Sequence, residues 1–469
     1  MDKAREAALK ILHAVHQQGA YANVALAKEL RQGGLSDMDR RFVTELVYGT
    51  VKAGETLDWI IKKYLSRPWK KVNPVVQDIL RLGTYQLRYM DKIPASAACN
   101  ESVELTKKFA NKGAAGFVNG ILRSMAREPE KGAFPSGKGN ATVQLALREQ
   151  HPEWLVRRWI KEFGYDEAEQ LCRFNNQQAP LSVRTNTLKT SPSELRLQLV
   201  AAGVEVQPSQ LVDEGFILEE HGALDSLSAL QEGYCQVQDE SSMLVAHVLS
   251  PEPGELVLDV CSAPGGKTTH IAALMENRGR IVACDIYDHK LQRVMENAHR
   301  LGIQIIEPRL QDARTIGRDF AGQADRVLVD APCSGLGVLR RKPDSRWRKT
   351  PELIRELPAL QLAILESAAE AVKPGGILVY STCTIAHEEN QDVVSSFLQA
   401  HQEFVLENAG ERLPVPRREA MVQLYPQRDG TDGFFIACMR KKIDLMERFL
   451  PAWGEDRLYG KFIACMRRR

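Results

Sequence analysis

No stretch of this 469-residue chain holds the eighteen or so consecutive apolar residues that a membrane span requires. The opening residues, Met1 to Glu6, lack the apolar run of a secretory signal. None of the nine cysteines falls in a C-x-x-C pair, which argues against a zinc knuckle or a thioredoxin-like centre. Their odd number, without an export signal, argues against a disulfide framework. The expectation is a cytoplasmic protein that takes no metal, enters no membrane and acts as a monomer. Two glycine fingerprints are also missing. There is no G-x-G-x-x-G, so the dinucleotide signature fails. Gly266-Lys267-Thr268 resembles the end of a phosphate-binding loop, but the position that must carry the first glycine is Cys261.

What is present is a chain long enough for two or three domains. Its net charge of +2 conceals an asymmetry: the first 150 residues hold 24 Lys/Arg against 15 Asp/Glu. A basic N-terminal third suits a polyanionic partner such as a nucleic acid, or simply a solvated helical surface. Residues 1–130 read as all-helical. Leu9, Leu12, His13 and His16 recur at helical spacing, as do Phe42, Leu46 and Val47, and Ile79, Leu82, Gly83 and Leu87. Gly33-Gly34, Pro68 and Pro94 mark breaks, and residues 131–140 have linker composition. Residues 145–230 read as a small α+β domain, with a helix from Glu153, strands at 181–186 and 204–206, and a capped helix over 191–202.

From 231 to 442 strands and helices alternate, predicting a parallel sheet covered on both faces. The strands are expected at 256–260, 281–285, 305–309, 326–330 and 377–382, with a closing strand at 433–440. Intervening helices are expected at 268–275, 289–301, 352–372 and 388–401. The first strand runs into Cys261-Ser262-Ala263-Pro264-Gly265-Gly266-Lys267, whose glycines permit close backbone approach to a ligand at a helix N-terminus. Asp285 ends the second strand, Asp312 follows the third and Asp330 ends the fourth. Such acceptors suit the ribose hydroxyls, adenine amine and amino-acid part of S-adenosylmethionine.

Two cysteines, Cys333 and Cys383, follow the fourth and fifth strands. Adjacent strands lie about 4.8 Å apart, so both loops can face one base. Cytosine C5 is a poor nucleophile. One route to its methylation adds a thiolate to C6, with an acid at the pyrimidine edge and a second group to resolve the adduct. Cys333, Cys383 and Asp330 supply those types, although strand position alone does not say which thiol attacks.

The motifs Gln238-Asp239-Glu240-Ser241-Ser242, Ala263 to Thr268, Asp330-Ala331-Pro332-Cys333, Ser381-Thr382-Cys383 and Asp432-Gly433-Phe434-Phe435 resemble the NOL1/NOP2/Sun family of RNA cytosine-5 methyltransferases. The resemblance implies a Rossmann-like class I methyltransferase domain that uses S-adenosylmethionine. It implies Cys383 as nucleophile, Cys333 in adduct resolution and Asp330 between cofactor and cytosine. Cys261 through Lys267 would line the cofactor's methionine end, Asp285 its ribose and Asp312 its adenine. The middle domain is expected to be RRM-like. Arg5-Glu6-Ala7-Ala8, Leu46 to Gly49, Leu80 to Leu87 and Phe117 to Arg123 resemble the NusB-type RNA-binding helical domain. The combination implies small-subunit (16S) ribosomal RNA as partner. Open alternatives are the same chemistry on a transfer RNA, or an RNA-binding assembly factor with a vestigial catalytic domain. Residues 443–469 repeat Phe-Ile-Ala-Cys-Met-Arg from 435–440 at 462–467, a tail the family pattern does not require.

Overall fold

A computed structural model describes residues 2–31, 33–135, 141–219 and 227–443. The repeated tail therefore lies outside the described residues. The backbone forms two compact units: Met1–Ala179 with Val338–Leu353 and Pro426–Arg428, and Pro180–Gly337 with Ile354–Tyr425 and Asp429–Arg469.

The first unit is helical, and polar caps set where its helices begin. Asp2 accepts hydrogen bonds from the Ala4 and Arg5 amides at the start of Lys3–Gln17. Ser36 and Asp39 form a reciprocal capping box on Asp37–Lys62, and Asn73 precedes Pro74 at the start of Pro74–Tyr89. Leu9, Leu12, Leu46, Val47, Ile79 and Leu82 share one core. His13 and His16, read from the same periodicity, belong instead to a polar network. Their Nδ1 atoms lie 3.2 and 2.7 Å from the buried Asp78, which also accepts from Arg81. Part of the expected linker is packed, since Phe134 sets its ring 5.7 Å from that of Trp59; residues 136–140 lie outside the described residues. The helices Glu153–Phe163 and Tyr165–Asn176 also belong to this unit. So does the segment after Gly337. There Arg346 is buried and donates to the carbonyls of Gln150 and Asn175, and Trp347 Nε1 donates to the carbonyl of Lys52. Gly54 makes room for it: a Cβ there would lie 2.2 Å from Trp347 Nε1, and its φ of +39° disfavours any side chain.

The second unit carries two sheets. The smaller is antiparallel in the order β2-β3-β1-β4, with β1 Leu181–Thr185, β2 Val206–Pro208, β3 Gly215–Leu218 and β4 Cys235–Val237. The helix Pro192–Ala201 carries the expected capping box between Ser191 and Glu194. The larger sheet contains β5 Leu256–Asp259, β6 Arg280–Asp285, β7 Ile306–Leu310, β8 Ala324–Asp330 and β9 Val372–Thr382. It continues with β10 Phe404–Glu407, β11 Met421–Leu424 and β12 Phe434–Lys441, in the order β10-β12-β9-β8-β5-β6-β7, with β11 also on β12. Alternate residues enter two separate cores: Val257, Ile281 and Ala283 on one face, Leu258, Val282 and Cys284 on the other. That is why these strands read as unbroken apolar runs.

The expectation of a parallel sheet is corrected in part. The five strands from β7 to β9 are parallel, but β12 pairs antiparallel with β9, β10 and β11. A short return from β11 delivers β12, so no crossover helix is needed and the sheet is mixed. Phe435 pairs with Thr382, which places the start of β12 beside the end of β9.

Candidate active site

The carboxyl ends of β5, β6, β8 and β9 form one edge, and the chemistry-bearing residues collect there. β8 and β9 are direct neighbours, with Asp330 in register with Ser381. The loops that follow bring Cys333 Sγ to 3.3 Å from Cys383 Sγ. Gly337 closes the arrangement: its amide donates to the Cys383 carbonyl at 3.1 Å, and a Cβ there would lie 2.0 Å from the Gly433 carbonyl oxygen. None of the eight described cysteines forms a disulfide, and five are buried. The three partly exposed ones, Cys261, Cys333 and Cys383, all sit at this edge.

Asp330 is held from two sides. Its Oδ2 accepts from Lys267 Nζ at 2.7 Å and its Oδ1 from Ser381 Oγ at 2.9 Å. Burial pulls the Lys267 ammonium down, but Asp330 more than offsets this, so the ammonium stays charged, 5.0 Å above the Phe434 ring. The Cys333 thiol is pushed up by its contact with the Cys383 sulfur, by burial, and by the nearby carboxylates of Glu389 and Asp330. Cys333 therefore holds its proton at neutral pH.

The cofactor loop fits an amino-acid nucleoside. Gly265 has a φ of +98°, and a Cβ there would lie 3.1 Å from Val294 Cα. No side chain caps the Gly266–Leu274 helix, leaving its first amides for an anionic group. Ile286, Tyr287 and Leu310 are exposed apolar residues just past β6 and at the end of β7. Asp285 Oδ1 accepts from the Tyr287 amide at 2.9 Å. Ser262 and Pro264 anchor the loop: the Ser262 amide donates to Cys284 O at 2.9 Å, and Asn297 Nδ2 donates to Pro264 O at 3.0 Å. Ala263 joins Pro264 through a cis peptide bond. Burial, with the carboxylates of Asp259, Asp330 and Asp285, pushes the Cys261 thiol up. Asp312 stands apart from the others. Its carboxylate caps the turn after β7 and pairs with Arg314 at 2.6 Å on the surface.

Sequence reasoning missed three contributors. Arg184 on β1 is buried and donates to the Gly266 carbonyl at 2.8 Å and to Thr269 Oγ1 at 3.2 Å, so the small sheet braces the cofactor loop. A charged residue inside a short apolar strand was its only signal. Glu389 and Asn390 lie beneath the cysteine loops and had none. Outside this edge, Glu214 Oε1 lies 2.7 Å from His247 Nε2 and 3.0 Å from His270 Nε2, the only metal-ligand-like cluster among the described residues. Burial pushes the His270 ring down to about 3, so it is neutral there.

Asp259, at the end of β5, yields a stability prediction. It is buried, its Oδ2 accepts from Thr268 Oγ1 at 2.7 Å, and burial raises it to about 7 from an ordinary 3.8. Folding thus favours the protonated acid. The contribution is fullest below about pH 4 and is lost as the pH rises towards 7. Asp259→Asn keeps an acceptor for Thr268 and removes that loss. It should match the parent near pH 4 and exceed it by a few kcal/mol at pH 8 in urea unfolding. Parallel stability curves for the two proteins would refute the assignment.

A doubly wound sheet with this loop and these strand-end acids fits an S-adenosylmethionine-dependent methyltransferase. Residues 246–440 match the family model "16S rRNA methyltransferase RsmB/F", residues 2–127 the NusB family and residues 151–225 the ferredoxin-like domain of RsmF/B-like methyltransferases. The chain is 43% identical over 446 residues to the "Probable ribosomal RNA small subunit methyltransferase B" of Bacillus subtilis, covering 93% of this chain and 98% of that protein. The chain belongs to the RsmB/F family of 16S rRNA methyltransferases. Among solved structures, that of PH0851 superposes with a TM-score of 0.81 at 30% identity, covering 94% of this chain and 98% of that one. NSun6 from Pyrococcus horikoshii with SFG gives 0.57 at 26% identity, covering 62% and 99%. The helical domain is NusB-like and the smaller sheet belongs to a ferredoxin-like domain. No described helix is long and apolar enough to cross a membrane.

Proposed function

We propose that this protein methylates C5 of a cytosine in 16S rRNA, cytosine 967, through a covalent adduct between Cys383 and C6 of the base. The observation that carries the reading is the 3.3 Å approach of the two sulfurs beside the Lys267–Asp330 pair. The Cys383 sulfur, near the Lys267 ammonium, attacks C6 as the thiolate. Asp330 and Lys267 meet the pyrimidine edge and stabilise the charge that addition drives onto the ring. When bound, S-adenosylmethionine supplies an electrophilic methyl group, which the enamine-like C5 accepts. A base then takes the C5 proton, its bonding pair restores the C5–C6 double bond as the C6–S bond breaks, Cys383 leaves as its thiolate, and Cys333 assists that release. Cys261 to Lys267 hold the methionine end, Asp285 the ribose and Asp312 the adenine side. The basic NusB-like domain, residues 1–130, grips the RNA electrostatically in the cytoplasm.

Bisulfite sequencing of 16S rRNA from cells with and without this protein tests the reading. One protected cytosine should become convertible when the protein is absent. A protected cytosine lost from a transfer RNA instead, or from no RNA, would overturn it.

A further inference from the structure

Glu389 is fully buried, yet its carboxylate is spent on the two cysteine loops. Oε2 accepts from the Ser334 amide at 2.8 Å and from Gln361 Nε2 at 2.9 Å; Oε1 lies 3.4 Å from Thr384 Oγ1. Gln361 also donates to the Pro332 carbonyl at 3.0 Å, so both neighbours of Cys333 are tied to this one group. The next residue, Asn390, does the same for Cys383. Its Nδ2 donates to the Thr384 carbonyl at 3.0 Å and its Oδ1 accepts from Thr382 Oγ1 at 2.6 Å. Ser334 Oγ and Thr384 Oγ1 meet at 2.7 Å and join the two loops directly.

We propose that Glu389 is a positioning residue that clamps the Cys333 loop against the Cys383 loop, and that this clamp governs release from the covalent adduct. The inference rests on the covalent reading given above. A buried carboxylate is costly, but it accepts through both oxygens, whereas a glutamine keeps one acceptor oxygen and turns an NH2 group on the remaining partner, so Glu389→Gln removes the charge and loosens the clamp. What the charge adds is a division of the thiols. The contact with Cys383, burial, and the carboxylates of Glu389 and Asp330 together disfavour ionisation of Cys333, whereas Cys383 lies near the Lys267 ammonium. Two touching cysteines thereby take different roles.

The test uses the full chain, transcribed 16S rRNA and S-adenosylmethionine. Glu389→Gln should leave formation of the adduct in a single turnover within about 3-fold of the parent. It should slow multiple turnover by about 10-fold or more, with denaturant-resistant protein–RNA adduct accumulating. Its turnover profile should also move to lower pH, because Cys333 ionises more readily once the neighbouring charge is gone. Glu389→Asp keeps the charge and shortens the reach, so it should accumulate adduct without moving the profile. A folded Glu389→Gln with the parent's adduct level and pH profile would overturn the proposal. Should that variant fail to fold, Glu389→Asp decides: a parental adduct level overturns the clamp, and accumulation supports it. Adduct formation by Cys333→Ala separates the two readings. If that variant traps RNA while Glu389→Gln behaves as the parent, only the clamp fails; if it traps none, the covalent reading fails.

Discussion

Cys383→Ala should remove methylation and the covalent protein–RNA complex together, lowering turnover by roughly 10⁴-fold or more. The argument is chemical before it is structural. C5 of a pyrimidine becomes a competent nucleophile only after something adds to C6, and on the proposed covalent route the sulfur at the end of β9 is the group that adds. The change deletes one partly exposed sulfur and no described hydrogen bond of the Asp330–Lys267 pair, so the variant should fold and bind RNA as the parent does. The measurement is methyl incorporation alongside a denaturing gel for the adduct. A covalent complex that survives the substitution would assign the attack to another residue.

Cys333→Ala should have the opposite signature. Addition to C6 does not need the Cys333 sulfur, so the first turnover proceeds, but release is impaired. The enzyme should accumulate as a denaturant-resistant adduct, with steady-state turnover lower by roughly 10²-fold or more. The 3.3 Å between the sulfurs is what directs this expectation to Cys333. Activity lost without any adduct would mean that Cys333 acts before addition rather than after it.

Much of the catalytic domain was legible in the residues because its strands are buried on both faces. Val257 with Leu258 and Ile281 to Cys284 serve two cores at once, and continuous apolar runs result. The four-residue strands β10 and β11 were not legible, being too short to establish a period. The antiparallel entry of β12 was missed because periodicity carries no direction. The cysteine pair could be placed from strand ends alone, but the support beneath it could not. The sequence places a helix over 388–401, yet the structure forms a 3₁₀ turn at His387–Glu389 and buries the second glutamate. Likewise Lys267 reads as a loop residue facing the cofactor, and only the folded chain brings its ammonium to Asp330, 63 residues away. His13 and His16 fit an apolar helical face by spacing, and a buried Asp78 from another helix makes them polar.

The central claim is that the bond to RNA runs through Cys383. Protease and nuclease digestion of the adduct formed by Cys333→Ala, followed by mass spectrometry, measures this directly. The account predicts a nucleotide carried by the peptide that contains Cys383. A nucleotide on any other cysteine, Cys261 included, would contradict it.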